Sequence, residues 1–394
     1  MATPSDIYAK SLDEALASAL GAVQSEAANP SWFERLLRRL RGAYPTVVLQ
    51  ALEQLGQGAR ATAMSAHAGI GRDPAPELHP LDYEWYFTAE TAREMAKEIA
   101  GRSPILCIGT PTLADSLASL GTSVTLLDRS PHIPARFPAL ATAGRFLRCD
   151  VTRAVRFAGP HVQIVFDAPW YQGDILWWLR VASQWARPRS TITFALFPEL
   201  VRPSALDERD QILEMAEELG RVEVHRDTLS YATPLFERRA LEAAGIPSAG
   251  DWRRGDLVRL HVRRTPSARL AQLRAPTEQP WHTFLVGRQA VKLRPAIVGG
   301  PPPVTPVEGT VGTVLPATSR RDNRRFGVNF WTSRNHVLQV SKPGLVYRLL
   351  SLLHGGMPFG HAWQLLHPPD ADGAEALSAR ALFAEALEIS PEDR

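Results

Sequence analysis

Six consecutive residues, Phe166-Asp167-Ala168-Pro169-Trp170-Tyr171, place a carboxylate, a proline-stiffened turn and two aromatic rings side by side. A carboxylate that ends an apolar run can accept one N–H of an amine while a neighbouring backbone carbonyl accepts the other. That arrangement localises the nitrogen lone pair for in-line attack on an electrophilic carbon. Trp170 or Tyr171 would stack on the acceptor and favour a cationic sulfonium–methyl group. Methyl transfer to nitrogen calls for this set. A buried turn whose aromatics only fill core, as Trp177 and Trp178 are expected to do, uses the same residue types.

The elements that must hold this set alternate. Apolar, strand-like runs occur at Pro104–Ile108, Ser123–Asp128, Val162–Asp167 and Ser190–Leu196, with helical stretches between them. Strands alternating with helices imply an α/β fold with a parallel sheet covered on both faces. Arg221–His225 and Asp256–Arg263 would supply its last strands. Ligands of such sheets bind beyond the carboxyl ends of the strands, where the strand order reverses. There the turn Gly109-Thr110-Pro111-Thr112 would bring backbone close to a cofactor. Asp128 is placed to accept hydrogen bonds from ribose hydroxyls, and Asp150, after Cys149, to receive an adenine amino group. The fingerprint Gly-x-Gly-x-x-Gly is absent, which argues against a nicotinamide enzyme.

These pieces come in one order: Asp82-Tyr83-Glu84-Trp85-Tyr86-Phe87-Thr88-Ala89-Glu90-Thr91-Ala92, then Ile105 to Leu120, then the run ending in Asp128, then Asp167 to Tyr171. That order resembles the family of probable N6-adenine methyltransferases, which includes eukaryotic lysine methyltransferases acting on translation elongation factor. The likeness spans about Asp82 to Leu196. It implies a class I, Rossmann-like methyltransferase domain with S-adenosylmethionine as cofactor. Tyr86, Thr88 and Glu90 then fall on the cofactor-side segment, Gly109, Thr110 and Thr112 on the cofactor loop, and Asp128 on the ribose acid. Asp167, Ala168, Pro169, Trp170 and Tyr171 fall on the catalytic motif. Ala168 stands where the family has the first proline. It keeps the carbonyl that accepts the amine but relaxes the backbone that aims it, so a protein that binds cofactor without turnover is a further expectation.

With 394 residues, 45% hydrophobic and 22% charged, the chain can bury a sizeable core, which excludes wholesale disorder. No run approaches a membrane span and the N-terminus lacks a signal-peptide pattern, so a soluble, cytoplasmic protein without a membrane partner is expected. Cys107 and Cys149 read as packed thiols, and no histidine shows metal-ligand spacing. The expected organisation is a helical domain over 1–65, a linker over 66–80, the methyltransferase-like domain over 81–265, a basic β-rich module over 266–345 and a helical tail over 346–394. The N-terminal helices read as a packing or partner-recruiting unit rather than a nucleic-acid reader.

The formal net charge is +3, but from Trp252 to Lys342 there are 16 basic residues against four acidic ones. Within that stretch Gly299–Pro303 reads as a stiff connector. Arg320, Arg321, Arg324 and Arg325 precede Phe326, Phe330 and Trp331, with Arg334 and His336 just after. Cations interleaved with aromatics suit phosphate contacts and base stacking by RNA or DNA. An arginine-lined dock for an acidic protein, or a solvated loop with Trp331 in its core, are the alternatives. The sequence thus points to N-methylation of an amine, adenine N6 in nucleic acid first. A protein lysine is second, and a non-catalytic scaffold on the same fold third.

Overall fold

The structure is a computed structural model; it describes residues 3–23, 32–56, 75–101, 104–153, 161–246, 249–277, 280–294, 304–367 and 374–390. Most of the expected linker and the connector Gly299–Pro303 lie outside the described residues. The chain divides into two compact units. One holds Met1–Ala66, Trp85–Thr233 and Ala249–Thr277; the other holds His67–Glu84, Pro234–Ser248 and Glu278–Arg394.

The first unit opens with three helices, α1 (Pro4–Val23), α2 (Trp32–Arg39) and α3 (Pro45–Gln54). In α1 the buried residues Leu12, Leu16, Ala19 and Val23 recur at three- and four-residue intervals, which places them on one face. In α3, Pro45 starts the helix where its missing N–H costs no hydrogen bond. Then follow α4 (Ala89–Ile99), β1 (Ile105–Ile108), α5 (Pro111–Ser119), β2 (Val124–Asp128), α6 (Ile133–Arg136), α7 (Pro138–Ala143), β3 (Arg145–Arg148), β4 (His161–Phe166), α8 (Gln172–Trp185), β5 (Ala186–Leu196), α9 (Ala205–Glu217), β6 (Gly220–Ser230) and β7 (Arg254–Val262). Seven strands form one sheet in the order β3-β2-β1-β4-β5-β7-β6, parallel except for β7. This is the expected Rossmann-like, methyltransferase-type α/β domain.

The strand order runs outward in opposite directions from β1 and β4, which pair in parallel with Ile108 opposite Phe166. Such a switch point is where sheets of this kind place a ligand crevice, beyond the carboxyl ends of the two strands. Every residue of β1 is buried, as a strand covered on both faces requires. Beneath the crevice the Phe166 and Phe194 rings stack with centroids 5.0 Å apart. The edge strand β3 has no counterpart among the expected strands. It is four residues long, and Arg145 and Arg148 at its ends are exposed.

The second unit carries a five-stranded antiparallel sheet of β8 (His282–Val286), β9 (Gln289–Leu293), β10 (Val304–Pro306), β11 (Phe330–Thr332) and β12 (Val337–Val340), in the order β10-β12-β11-β9-β8. The C-terminal helices share its core. Leu349, Leu350, Trp363 and Phe383 pack with Phe284, Val291, Phe330 and Leu338. Asn323–Gly327, just before β11, coils into a 3-10 turn. Asp322 caps that turn by accepting a hydrogen bond from the Arg324 N–H at 3.0 Å. Among the described residues no helix is long and apolar enough to cross a membrane.

Candidate active site

Backbone hydrogen bonds stitch the carboxyl ends of the central strands together. Cys149 N donates to Asp128 O at 2.8 Å, Gly109 N to Leu127 O at 2.9 Å, and Asp167 N to Ile108 O at 3.2 Å. These bonds carry the residues expected to act on a cofactor and those expected to act on an acceptor to one end of one sheet. Gly109 takes φ +63°, and a Cβ there would lie 3.2 Å from the Asp167 carbonyl oxygen and 2.7 Å from the Trp178 ring. The expected cofactor loop and the expected catalytic aspartate are thus immediate neighbours.

On the loop side, Thr110 is 1% exposed, with its hydroxyl beside the Cys107 thiol, which burial pushes up to about 12. Thr112 Oγ1 is buried with no hydrogen-bond partner among the described residues. Asp128 Oδ1 accepts from Ser130 N at 2.8 Å, which sets the carboxylate at the strand end. Asp150 Oδ1 accepts from Thr152 N at 3.0 Å and from the Thr152 hydroxyl at 2.7 Å, so one of its oxygens is already engaged. Thr88 caps α4: its hydroxyl accepts from Thr91 N at 3.3 Å. Glu90 lies exposed in the first turn of that helix. Tyr86 packs edge-on against Phe137 at 5.4 Å.

Asp167 sits just past β4 and accepts a hydrogen bond from the Tyr231 hydroxyl at 3.1 Å. Burial pushes its carboxyl up to about 7; the Arg253 guanidinium and the Tyr231 hydroxyl both act to lower it but do not offset burial. The Tyr231 phenol is driven well above its usual range by burial and by the adjacent carboxylate. Near neutral pH the site therefore holds a carboxyl poised between its two forms, as proton-handling groups require.

Trp170 is 5% exposed and meets Tyr231 edge-to-face, with centroids 5.3 Å apart. Its indole Nε1 has no hydrogen-bond partner of normal geometry among the described residues. Tyr171 precedes α8 and has turned away: its ring meets the Arg202 guanidinium at 5.7 Å. Ala168 is buried and Pro169 half-buried between them. Gly255 makes room for this packing, since a Cβ on it would stand 3.0 Å from Trp170 and 3.4 Å from Tyr231.

Three residues grouped around Asp167 and Trp170 were not singled out from the sequence. Tyr231 bonds to Asp167, and Arg253 joins Trp85 to this group, its guanidinium carbon 3.8 Å from the Trp170 ring centroid and 4.4 Å from that of Trp85. Trp85 carried a signal in the aromatic block before α4. Arg253 was counted with the basic C-terminal stretch, yet it belongs to the first unit. No local pattern marks Tyr231.

The residues expected to touch nucleic acid are largely engaged within the second unit. Trp331 is 1% exposed and its indole N–H donates to Asn335 Oδ1 at 3.0 Å, so it packs the module's interior instead of offering a stacking face. Arg325 covers that ring at 4.8 Å and donates to Thr318 O at 3.0 Å. Arg324 pairs with Asp322, donating through Nε to Oδ1 at 2.8 Å. Arg334 donates to Glu77 Oε1 at 2.8 Å and also pairs with Glu388. Arg320 lies 4.0 Å over the Tyr83 ring, and Arg321 is exposed.

The same unit contains a hydroxyl–imidazole–carboxylate chain, Thr313 Oγ1 at 2.7 Å from His336 Nδ1 and His336 Nε2 at 3.3 Å from Glu388 Oε1. Its connectivity is that of a nucleophile triad. Thr313 is 1% exposed and already donates to Glu385 at 3.0 Å, so no substrate carbon reaches the hydroxyl. Both cysteines are free thiols. Among the described residues no group of three or more His, Cys, Asp and Glu could hold a metal ion.

No family model matches the chain, and no curated protein matches it either. Among solved structures, the chain is similar to the branched-chain polyamine synthase from Thermus thermophilus in complex with N4-aminopropylspermidine and 5'-methylthioadenosine. Identity is 14%, coverage is 67% of this chain and 96% of that one, and the TM-score is 0.47. An rRNA methylase from Streptococcus thermophilus is 12% identical over 50% of this chain and 100% of its own, with TM-score 0.29. A glycopeptide N-methyltransferase complexed with sinefungin is 18% identical over 27% of this chain and 53% of its own, with TM-score 0.24. At such identities and scores these likenesses say nothing of this chain's substrate, and its class I methyltransferase-type fold stands on its own strand order.

Proposed function

We propose that the protein transfers a methyl group from S-adenosylmethionine to an amine nitrogen, with Asp167 as the group that accepts the amine's N–H. The observation that carries this reading is the placement of Asp167 at the switch point, hydrogen-bonded to Tyr231 and adjoining Gly109. The donor side fits an S-adenosyl group on three counts. Gly109 presents backbone with no side chain, Thr112 holds a buried hydroxyl without a partner among the described residues, and Asp128 stands at the end of β2 where a ribose diol would be bonded. Asp150 and the cap region of α4 would flank the adenine and the amino-acid end. The bound donor supplies an electrophilic methyl carbon. The chain's own part is to hold the amine by Asp167 and the neighbouring carbonyl, to stack it against Trp170, and to keep water out.

Adenine N6 in RNA or DNA is the acceptor the motif order suits first, as in the family the sequence resembles, and a protein lysine is the alternative within the same chemistry. Nucleic acid as the partner leans on the basic stretch from Trp252 to Lys342, with its 16 basic residues against four acidic ones.

The test is a donor-dependent thermal shift followed by transfer of tritiated methyl into total RNA, DNA and protein. Asp167→Ala should abolish label incorporation and leave the thermal shift intact. A second reading, a methyltransferase-fold subunit that binds donor without turnover, draws on Ala168 and on the guanidinium that fills the acceptor-side cup. It predicts the thermal shift with no label in any fraction.

A further inference from the structure

The cup beside Asp167 is built with some care. Arg253 lies immediately before β7, and its carbonyl accepts from Tyr231 N at 3.1 Å, which fixes its backbone to the strand end that carries Tyr231. Its guanidinium carbon faces three rings, Trp170 at 3.8 Å, Trp85 at 4.4 Å and Tyr231 at 5.3 Å from their centroids. The rings are themselves held: Trp85 crosses Trp252 at 6.1 Å, Trp252 crosses Tyr44 at 5.4 Å, and Trp170 crosses Tyr231, each edge-to-face. Aromatic faces grouped this way are the usual receptor for a cation, including an incoming ammonium group. Here the chain's own cation already occupies them.

We propose that Arg253 sets the charge class of the acceptor: with a fixed cation on the aromatic faces beside Asp167, the site admits an amine that arrives uncharged on a planar ring and turns away aliphatic ammonium groups. The inference rests on the proposed amine-directed function and narrows it to nucleobase-type exocyclic amines over lysine side chains and polyamines. An arginine does not lose its proton in proteins, so the repulsion it exerts on a second cation is not relieved by deprotonation. The Asp167 carboxyl lies close enough to feel the guanidinium, and like charges brought together in a partly buried site discriminate against the wrong partner. A neutral ring amine meets no such repulsion. It needs only acceptors for its two N–H groups and a flat surface, and a guanidinium plane offers a stacking surface as an indole does.

The test is direct binding without donor, read by isothermal titration and by quenching of tryptophan fluorescence. The probes are adenosine and N-acetyl-lysine amide, run on the wild-type chain, Arg253→Met and Arg253→Lys. Arg253→Met keeps the bulk and removes the charge; it should tighten lysine-amide binding at least about tenfold and leave adenosine unchanged or weaker. Arg253→Lys keeps the cation and should keep the wild-type preference, which separates a charge effect from a folding defect. An unchanged preference in Arg253→Met, or a wild-type chain that binds the lysine amide better than adenosine, overturns the inference. Failure of the transferase reading shows separately, as the absence of any thermal shift with S-adenosylmethionine.

Discussion

The Tyr231 hydroxyl donates to Asp167 Oδ1 at 3.1 Å across two ends of the sheet, one just past β6 and the other just past β4. That single bond links the end of β6 to the expected catalytic carboxylate, and it is one of two influences that hold the carboxyl below the value burial alone would set. Tyr231→Phe removes it and leaves the ring packing in place. The Asp167 pKa should then rise further, and the acidic limb of the pH–rate profile should move to higher pH. A pH–rate profile of the variant that superimposes on the wild type would remove Tyr231 from the machinery.

The same carboxyl sets a stability trend. Its folded pKa, about 7, lies above its ordinary value of 3.8, so between those pH values the folded chain binds more protons than the unfolded one. Stability from this group is complete below about pH 4 and is lost as pH rises towards 7, a loss of at most about 4 kcal/mol. Asp167→Asn cannot ionise. It should be more stable than the wild type at pH 8 by up to that amount and should lose the advantage near pH 4, as urea unfolding at the two pH values will report.

Gly109 predicts a steric effect at the other face of the crevice. Its φ of +63° disfavours any side chain, and a Cβ would lie 2.7 Å from the Trp178 ring. Gly109→Ala should cost about 2–4 kcal/mol, of which strain in the left-handed region is about 1–2. Adding Trp178→Leu should recover the clash and not the strain. Chemical denaturation of the two variants separates the contributions.

Much of this architecture was legible because buried parallel strands are continuous apolar runs, as at Ile105–Ile108 and across Val162–Phe166, and because each is followed by a helical pattern. The strand Arg145–Arg148 was not legible, since four residues with arginine at both ends carry neither a run nor an alternation. Asp167 and Trp170 were found because they share one turn. Tyr231 and Arg253 were not, because they reach that turn through the pairing of β6 with β7, which no local pattern encodes. The arginines beyond residue 319 show the same limit. Asp322 and Arg324 pair across two positions, whereas the partner of Arg334, Glu77, stands 257 positions away.

Two kinds of substitution among the basic residues have different expected phenotypes. Arg320→Ala and Arg321→Ala should each lower the slope of log affinity against log salt for RNA or DNA by about 1. Arg334→Ala removes the partner that Glu77 and Glu388 share and should lower the melting temperature while leaving the salt slope unchanged. Salt titrations by fluorescence anisotropy, paired with thermal melts, will tell them apart. A salt slope that Arg320→Ala and Arg321→Ala leave untouched would shift the acceptor from nucleic acid to protein.

The last prediction concerns what keeps the start of β7, and with it Arg253, in register. Arg209 on α9 pairs with Asp256 on β7 at 2.8 Å; both side chains are buried, and Arg209 also donates to Phe197 O. Asp256 Oδ1 in turn accepts from Asp227 N at 2.8 Å. Removing one partner of a buried pair leaves a charge without compensation and costs about 3–5 kcal/mol, whereas removing both costs less. Arg209→Met should therefore destabilise strongly. Arg209→Met with Asp256→Asn should recover part of the loss, because Asn still accepts from Asp227 N. The coupling expected from the double-mutant cycle is about 1–3 kcal/mol. Because Asp256 lies three residues from Arg253, the Arg209→Met variant should also loosen the aromatic cup. Its tryptophan emission should shift to longer wavelength under conditions where the far-ultraviolet circular dichroism is still native. An emission spectrum identical to the wild type in a destabilised Arg209→Met would show that the cup is held by its own ring packing and not by the buried pair.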